Sequence, residues 1–205
     1  MTDPRLKPWL DAGKIRLFAV DSVDAQSWCN WSAHPHDRAL RHDAYERYLT
    51  QEVVSFIRKG YSNEPLCVTG CSMGAYHAVN YFFRHPDICD SVIALSGLYR
   101  LNQFIGDYMD DLVYYHTPLA YLPGLNDAGY LDRYRQSRIF ICVGQGAWED
   151  EMLADTIRLK QILEHKKIPA IVDVWGHDVN HDWLWWHKMM SYFMAQLIPL
   201  DVLQK

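Results

Sequence analysis

The chain lacks several features that mark whole classes of protein. It has no run or face of lysine and arginine, and 20 basic against 25 acidic residues give a formal net charge of −5. Nucleic acid is therefore not an expected partner. No apolar stretch approaches the roughly 20 residues of a membrane span. The opening residues, MTDPRLKPWLDAGK, lack the cationic start and apolar core of a secretory signal. We expect a cytoplasmic protein with no membrane partner.

Cysteine is scarce and poorly placed for crosslinks or metal binding. The five cysteines lie at positions 29, 67, 71, 89 and 142, and only Cys67 and Cys71 are close enough together for metal-ligand spacing. The count is odd, and three of the five lie in or beside apolar runs. This pattern predicts reduced, mostly buried thiols in a reducing compartment.

Short apolar runs alternate with helical patterns along the chain. No repeat, low-complexity tract or polar linker divides its 205 residues, so we expect one domain over 1–205. The runs predict strands over 14–22, 65–70, 91–97, 138–144 and 170–176. Periodicity predicts helices over 41–60, 73–85, 149–167 and from 183 onwards, with short helical turns in the aromatic stretch 98–136. Apolar strands alternating with helices indicate an α/β domain whose parallel sheet is covered on both faces.

The segment GCSMG, residues 70–74, fits the pattern G-x-S-x-G between a predicted strand and a predicted helix. Such a turn exposes a serine oxygen at the sheet edge, which makes Ser72 a candidate nucleophile. The N–H of Met73, at the helix start, would stabilise an oxyanion. We expect Gly70 and Gly74 to prevent clashes as the helix turns back on the strand. A simple turn of small residues is the alternative, but the flanking elements favour the nucleophile.

A nucleophilic serine needs a base and an acid, which α/β-hydrolases place after later strands in the order serine, acid, histidine. The last predicted strand is followed by two histidines, His177 and His181. The preceding strand is followed by three acids, Glu149, Asp150 and Glu151. All the candidates therefore fall at the carboxyl ends of strands, in the expected order.

Other interpretations of the histidines and tryptophans are open. His177 and His181, with Asp178 and Asp182, have a four-residue spacing that suits a metal site, but their segment is typical of a loop and offers no third ligand. The segment HPHDRALRH, residues 34–42, contains three histidines, which we interpret as a solvated loop and helix start. The tryptophans at 183, 185 and 186 are more typical of a core than of a ligand platform.

The stretch VTGCSMGAYHAVNYFFRHPDICDSVIALSGLY resembles the putative-esterase group of α/β-hydrolases. That group includes S-formylglutathione hydrolases, feruloyl esterase-type enzymes and mycolyltransferases. The similarity continues through VDSVDAQSW, GQGAWEDEM and WGHDVNHDWLWW, and covers nearly the whole chain. It implies a three-layer α/β/α fold with a mostly parallel sheet. It also implies a serine esterase that cleaves a small-molecule carboxylic ester or thioester through an acyl-enzyme, with no metal or organic cofactor.

The resemblance also selects among the site candidates. The histidine of the group stands in an H-x-W-x-x-W context, which His181 fits and His177 does not. The position of the group's acid places Asp150 ahead of Glu149. The implied catalytic residues are therefore Ser72, His181 and Asp150, with the N–H of Met73 as an oxyanion donor.

The chain departs from the group at its N-terminal end. The strand at 14–22 corresponds to the fourth strand of the fold, and only 13 residues precede it. The third strand and the loop that donates the second oxyanion N–H are missing. Either the strand at 14–22 pairs directly with that at 65–70, or another chain completes the sheet, which makes a homodimer through an exposed edge an expectation. The remaining alternatives are that the sequence is a fragment of a longer protein or begins at a misread start. Asn30 or a backbone N–H within 27–31 is a candidate substitute donor.

Two other functions use the same fold. An acyltransferase would have the same triad and pass the acyl group to an alcohol other than water. A non-catalytic binding module would keep the turn around Ser72 without a working oxyanion hole. Whether the protein is an esterase or an acyltransferase, we expect the stretch 98–136 to form the wall of the pocket for the acyl or alcohol group. Tyr108, Tyr114 and Trp148 are candidate lining residues, and core packing is an equally open interpretation for each.

Overall fold

The computed structural model describes residues 6–200, which build a four-stranded parallel sheet. The strands lie in chain order, and Ala94 of the second strand is opposite Gly70 of the first and Ile141 of the third. Because the strands are parallel, their carboxyl ends share one edge of the sheet. The strands are β1 (Cys67–Cys71), β2 (Ser91–Leu95), β3 (Arg138–Val143) and β4 (Ile171–Val174).

Helices precede the sheet, connect its strands and follow it. A 3-10 turn at Asp24–Gln26 lies after the first helix, and a π-helical turn at Leu49–Val53 joins the second helix to the third. The α-helices of the described residues are α1 (Lys7–Asp11), α2 (Pro35–Tyr48), α3 (Val54–Gly60), α4 (Met73–Arg84), α5 (Asn102–Ile105), α6 (Asp111–Tyr115), α7 (Pro118–Gly124), α8 (Ala128–Gln136), α9 (Asp150–His165) and α10 (Trp183–Leu197).

Both faces of the sheet are covered, which gives three layers. Side chains alternate along β2, so that Val92 and Ala94 face one side and Ile93 and Leu95 the other. The first side packs against α4 and α9 through residues such as Val79, Phe82, Leu159 and Leu163. The second side packs against α10 and α1 through Met189, Phe193 and Trp9. The predicted α/β class with a parallel sheet covered on both faces is confirmed.

Most predicted elements are present with small shifts in their bounds. The helix after Ser72 begins at Met73 and ends at Arg84, before Pro86. The helix predicted from 41 begins earlier, at Pro35. It starts there because the His34 side chain accepts a hydrogen bond from the N–H of His36 and because proline suits the first helical position. The stretch 98–136 forms four short helices, α5 to α8.

The predicted strand over 14–22 is wrong. These residues form no strand, and Leu17, Phe18 and Val20 are exposed. The apolar run resembles a buried strand, but a strand needs a hydrogen-bonded neighbour, and this segment lies against α3 instead. The ring of Phe18 is 6.4 Å from that of Phe56. The direct pairing of this segment with β1 is therefore wrong, and within 6–200 the only strand beside β1 is β2.

The sequence predicted no membrane span and mostly buried, reduced cysteines. No helix among residues 6–200 is long and apolar enough to cross a membrane. All five cysteines are free, but only Cys89 and Cys142 are buried, which raises the pKa of both thiols. Cys67 is exposed on the edge strand, and Cys29 and Cys71 are partly buried, so the expectation of mostly buried thiols is corrected.

The turn between β1 and α4 is tight because Gly70 has no side chain. A Cβ on Gly70 would lie 2.2 Å from the carbonyl oxygen of Gly74, which is backbone and has no rotamer to change. A Cβ on Gly74 would meet nothing within 4 Å. The close approach is therefore required at Gly70 alone, which corrects the expectation for Gly74.

Replacing Gly70 with alanine should destabilise the fold by about 1–3 kcal/mol or more, since the added methyl group overpacks the turn. Gly74→Ala is the matched control, and it should be neutral or stabilising by up to about 1 kcal/mol because alanine favours the helix. Urea unfolding of the two variants measures both effects. Equal free energies of unfolding for the two variants would contradict this account of the turn.

Within 6–200, β1 is an edge strand, so the expected homodimer would form by pairing along this edge. The N–H of Ser72 donates to Leu95 of β2, and alternate N–H groups of a strand point the same way, so the N–H of Thr69 points outward from the sheet. Thr69→Pro removes that donor, and both Thr69→Pro and the control Thr69→Val remove the side-chain hydrogen bond from Thr69 Oγ1 to the carbonyl of Ile93 in β2. We expect sedimentation to show a dimer for the natural chain and for Thr69→Val, and a monomer for Thr69→Pro. A monomeric natural chain would refute the expectation.

Candidate active site

Ser72 occupies the turn between β1 and α4 with a strained backbone. Its φ of 53° and ψ of −122° lie in a region that L-residues other than glycine rarely adopt. The Ser72 N–H donates to the carbonyl of Leu95 at 2.9 Å, which ties the turn to the end of β2. The serine is thereby held at the carboxyl edge of the sheet, as the sequence pattern predicted.

His181 lies beside this serine. The distance from His181 Nε2 to Ser72 Oγ is 2.8 Å, within hydrogen-bond range, although the two residues are 109 positions apart. The His181 side chain is 18% exposed, so solvent and a small ligand reach the pair. The candidate nucleophile and the candidate base therefore meet in the geometry that proton transfer requires.

Backbone hydrogen bonds fix the position of His181. The loop after β4 joins the loop after β3, where the N–H of His181 donates to the carbonyl of Ala147 at 3.0 Å. The N–H of Gly146 donates to Val179 at 2.8 Å, and the N–H of Ala147 donates to the Asn180 side chain at 2.8 Å. A Cβ on Gly146 would lie 2.7 Å from the backbone carbonyl oxygen of Val179, so this junction needs glycine.

The carboxylate behind the histidine belongs to Glu149. Its Oε1 lies 3.5 Å from His181 Nδ1, and its side chain is completely buried. Asp150, chosen from the resemblance, is exposed and begins α9. The choice of Asp150 over Glu149 is corrected here, because the N-terminus of α9 turns Asp150 towards solvent while Glu149 points under the histidine.

The Glu149–His181 pair is close to a hydrogen bond without forming one. The 3.5 Å separation exceeds the usual limit of about 3.2 Å, and Nδ1 of His181 has no other hydrogen-bond partner among the described residues. Catalytic hydrogen bonds of free enzymes are commonly long and shorten when substrate binds. A shift of a few tenths of an ångström would complete the contact.

Two linked hydrogen bonds also hold Glu149, through the same oxygen that faces His181. Ser96 Oγ donates to Glu149 Oε1 at 2.7 Å, and Trp186 Nε1 donates to Ser96 Oγ at 3.0 Å. The ring of Trp186 also meets the ring of His181 edge to face, with centroids 4.8 Å apart. Sequence reasoning missed Ser96 and treated Trp186 as core. The available signal was position, since Ser96 follows β2 at the edge where Ser72 lies.

Backbone strain is concentrated at this site. Among residues 6–200, four non-glycine residues have positive φ, and Ser72, Ser96 and Trp148 are three of them. Each directly precedes or belongs to the site: Ser72 contacts His181, Ser96 contacts Glu149, and Trp148 comes just before Glu149. Strained conformations of this kind cluster where the chain must aim functional side chains.

The N–H of Met73 is available as an oxyanion donor, whereas several of the other candidate donors are engaged elsewhere. Met73 is the first residue of α4, and an N–H in the first turn of a helix has no acceptor within its own helix. Within 27–31 the N–H groups of Cys29, Asn30 and Trp31 donate to nearby carbonyls. The backbone candidates at these three positions are therefore occupied. The Asn30 side-chain oxygen accepts from Ser32.

The aromatic candidates for the pocket wall differ in their surroundings. Tyr114 packs against the main core, and the hydroxyl of Tyr108 donates to Asp110. Trp148 is 84% exposed. A cavity of about 250 Å³ is lined by Leu98, Arg100, Asn102, Gln103 and Glu151. Leu98 lies two residues after Ser96 in the chain.

The alternative metal site at the last loop has no support from the geometry. His177 is exposed, and its neighbour His181 is engaged with Ser72. Among residues 6–200, the single cluster of His, Cys, Asp or Glu that could hold a metal ion lies elsewhere, at His42, Glu46 and His116.

Solved structures with the same fold have known activities. A ferulic acid esterase is 24% identical, with a TM-score of 0.58 over 72% of this chain and 58% of its own. An S-formylglutathione hydrolase from Agrobacterium tumefaciens is 14% identical, with a TM-score of 0.57 over 73% of this chain and 55% of its own. The FphF serine hydrolase of Staphylococcus aureus, described as fluorophosphonate-binding, is 16% identical, with a TM-score of 0.52 over 72% and 62%.

These similarities establish the α/β-hydrolase fold, and the chain spans 55% to 62% of the length of these three structures. No curated protein sequence matches the chain. The profile of the family described as "Putative esterase" matches residues 10–197, which is most of the chain. The protein therefore belongs to the Putative esterase family of α/β-hydrolase-fold proteins.

Proposed function

We propose that the protein is a serine esterase whose triad is Ser72, His181 and Glu149. The observation that carries the proposal is the 2.8 Å contact between Ser72 Oγ and His181 Nε2, with the buried Glu149 carboxylate on the other side of the ring. Membership of the esterase family supports the reaction class.

The proposed reaction uses the histidine twice. His181 Nε2 takes the proton of Ser72 Oγ as the oxygen attacks the carbonyl carbon of the ester. The histidine then returns this proton to the leaving alcohol or thiol, which departs and leaves an acyl-serine. A water molecule repeats the sequence and releases the acid. Glu149 stabilises the cationic imidazole between these steps and keeps the Nδ1 proton directed away from the serine.

The oxyanion in this proposal is held by the N–H of Met73 together with the dipole of α4. A missing second donor typically lowers the rate by about 10²–10³. We therefore expect the isolated chain to prefer activated esters or thioesters, whose leaving groups need less stabilisation of the tetrahedral intermediate.

The substrate class we propose is a small-molecule carboxylic ester or thioester. The structural neighbours include a ferulic acid esterase, whose name indicates a carboxylic ester, and an S-formylglutathione hydrolase, whose name indicates a thioester. We assign the acyl or alcohol group to the cavity of about 250 Å³ lined by Leu98, Arg100 and Glu151, since Leu98 is two residues from Ser96 and Glu151 is two residues from Glu149 in the chain.

The test is the rate of labelling by a fluorophosphonate probe. Ser72→Ala should abolish labelling, and His181→Ala should slow it by about 10⁴–10⁶. Glu149→Gln removes the negative charge while keeping the shape, and should slow labelling by about 10⁴. The matched control is the adjacent Asp150→Asn, which should remain within a few-fold of the natural chain.

Circular dichroism and thermal unfolding establish that each variant is folded. The proposal fails if the folded natural chain is not labelled. It also fails in its choice of acid if Asp150→Asn is as slow as Glu149→Gln.

A further inference from the structure

A cluster of potential metal ligands is buried on the far side of α4. His42 and Glu46 are one turn apart on α2, and His116 comes from the junction of α6 and α7. Their exposed fractions are 3%, 6% and 0%. Each residue offers one donor atom, and these atoms lie within 4.8 Å of one another. Sequence reasoning treated His42 as part of a solvated segment, and its burial corrects that interpretation.

Two buried polar atoms of the cluster, His42 Nδ1 and Asn80 Oδ1, have no hydrogen-bond partner among residues 6–200. His116 Nε2 also has none and lies 3.6 Å from Asp43 Oδ1. Buried polar atoms are nearly always paired, so unpaired ones at one place point to a missing partner. A cavity of about 10 Å³, about the size of one water-sized sphere, lies between α2 and α4 against His42, Glu46 and Asn80, and His116 is not among its lining residues.

One separation in the cluster already matches a tetrahedral metal ion, and the full set, which lies within 4.8 Å, would contract on binding. His116 Nδ1 lies 3.5 Å from Glu46 Oε2. In a tetrahedral zinc site with ligand bonds of about 2.0–2.1 Å, neighbouring ligand atoms are about 3.4 Å apart. Asn80 Nδ2 lies 3.1 Å from His116 Nδ1. A half-turn of this amide would put its unpaired oxygen there as a fourth donor.

A surrounding carboxylate is placed to orient the histidine. Asp43 Oδ1 lies 3.6 Å from His116 Nε2, on the opposite side of the ring from Glu46. Metal-bound histidines commonly direct their second nitrogen at such a carboxylate, which fixes the ring and its tautomer. Asp43 itself pairs with Arg47 at the protein surface.

The carboxylate of Glu46 presents one oxygen to His116. Arg84 and His85 both bond the other oxygen, Oε1, at 2.7 and 2.9 Å, and Arg84 also donates to the carbonyl of Tyr115. Glu46 Oε2 is therefore left facing His116. The neighbouring His77 bonds Asp24.

We propose that His42, Glu46 and His116 bind one zinc ion, with Asn80 as the fourth ligand and Asp43 as a positioning residue for His116. Two imidazoles and one carboxylate form a donor set that zinc favours among biological divalent cations. The four ligands come from α2, α4 and the α6–α7 junction, and the site is closed to solvent. Its role is structural: it joins these helices behind the helix that carries Ser72 at its start.

The experiment measures zinc binding to the full chain after removal of metal with a chelator. We expect one zinc per chain, competition against a chromophoric indicator, and a higher unfolding temperature with zinc. His42→Asn and His116→Asn should each weaken binding by at least about 100-fold, and Asp43→Asn by about 10–100-fold. His165→Asn, at an exposed histidine that ends α9, is the control and should bind as the natural chain does.

Cobalt in place of zinc gives a second measurement on the unaltered chain. A four-coordinate buried site gives strong visible absorption bands, whereas a six-coordinate surface site gives weak ones. The proposal is overturned by weak bands, by less than one tight zinc per chain, or by binding that is unchanged in folded His42→Asn. Loss of binding in His165→Asn alone would also overturn it.

Discussion

The short contact between Ser72 and His181 depends on the shared edge of a parallel sheet. Ser72 follows the first strand, Ser96 the second, Glu149 the loop after the third and His181 the loop after the fourth. Parallel strands bring all four residues to one side although more than a hundred positions separate the first from the last. Hydrogen bonds between the loops at Gly146, Ala147 and His181 then hold His181 so that its Nε2 lies 2.8 Å from Ser72 Oγ.

Strain and burial are distributed around that contact in a consistent way. Within 6–200, three of the four non-glycine residues with positive φ carry or precede the groups of the candidate site. The Glu149 carboxylate is buried and accepts from Ser96, which in turn accepts from Trp186. A buried carboxylate beside a half-buried imidazole interacts more strongly than it would in water. The helix that follows Ser72, α4, has the polar cluster of His42, Glu46 and His116 on its far side. The site therefore rests on a rigid frame of two helices and a sheet.

The fold could be predicted because it depends on local patterns, and Ser72 was proposed from such a pattern whereas His181 was chosen over His177 from the family resemblance. Apolar runs locate β1 to β4, and the glycine-flanked serine locates the turn. The acid could not be chosen, because Glu149 and Asp150 are adjacent and only the start of α9 decides which points inward. The segment 14–22 was misassigned because composition shows that a run is apolar, whereas strand formation depends on a neighbour elsewhere. The buried histidine cluster joins residues 42 and 116, and no local pattern links them.

The central claim is that Ser72 forms an acyl-enzyme, and the most direct measurement is intact-mass spectrometry after rapid acid quench from an activated acetyl ester. The account predicts one added acetyl group per chain, located by digestion on the peptide that contains Ser72, and absent from Ser72→Ala. Ester hydrolysis with no acetyl group on that peptide at any quench time, or with the group on another residue, would contradict it.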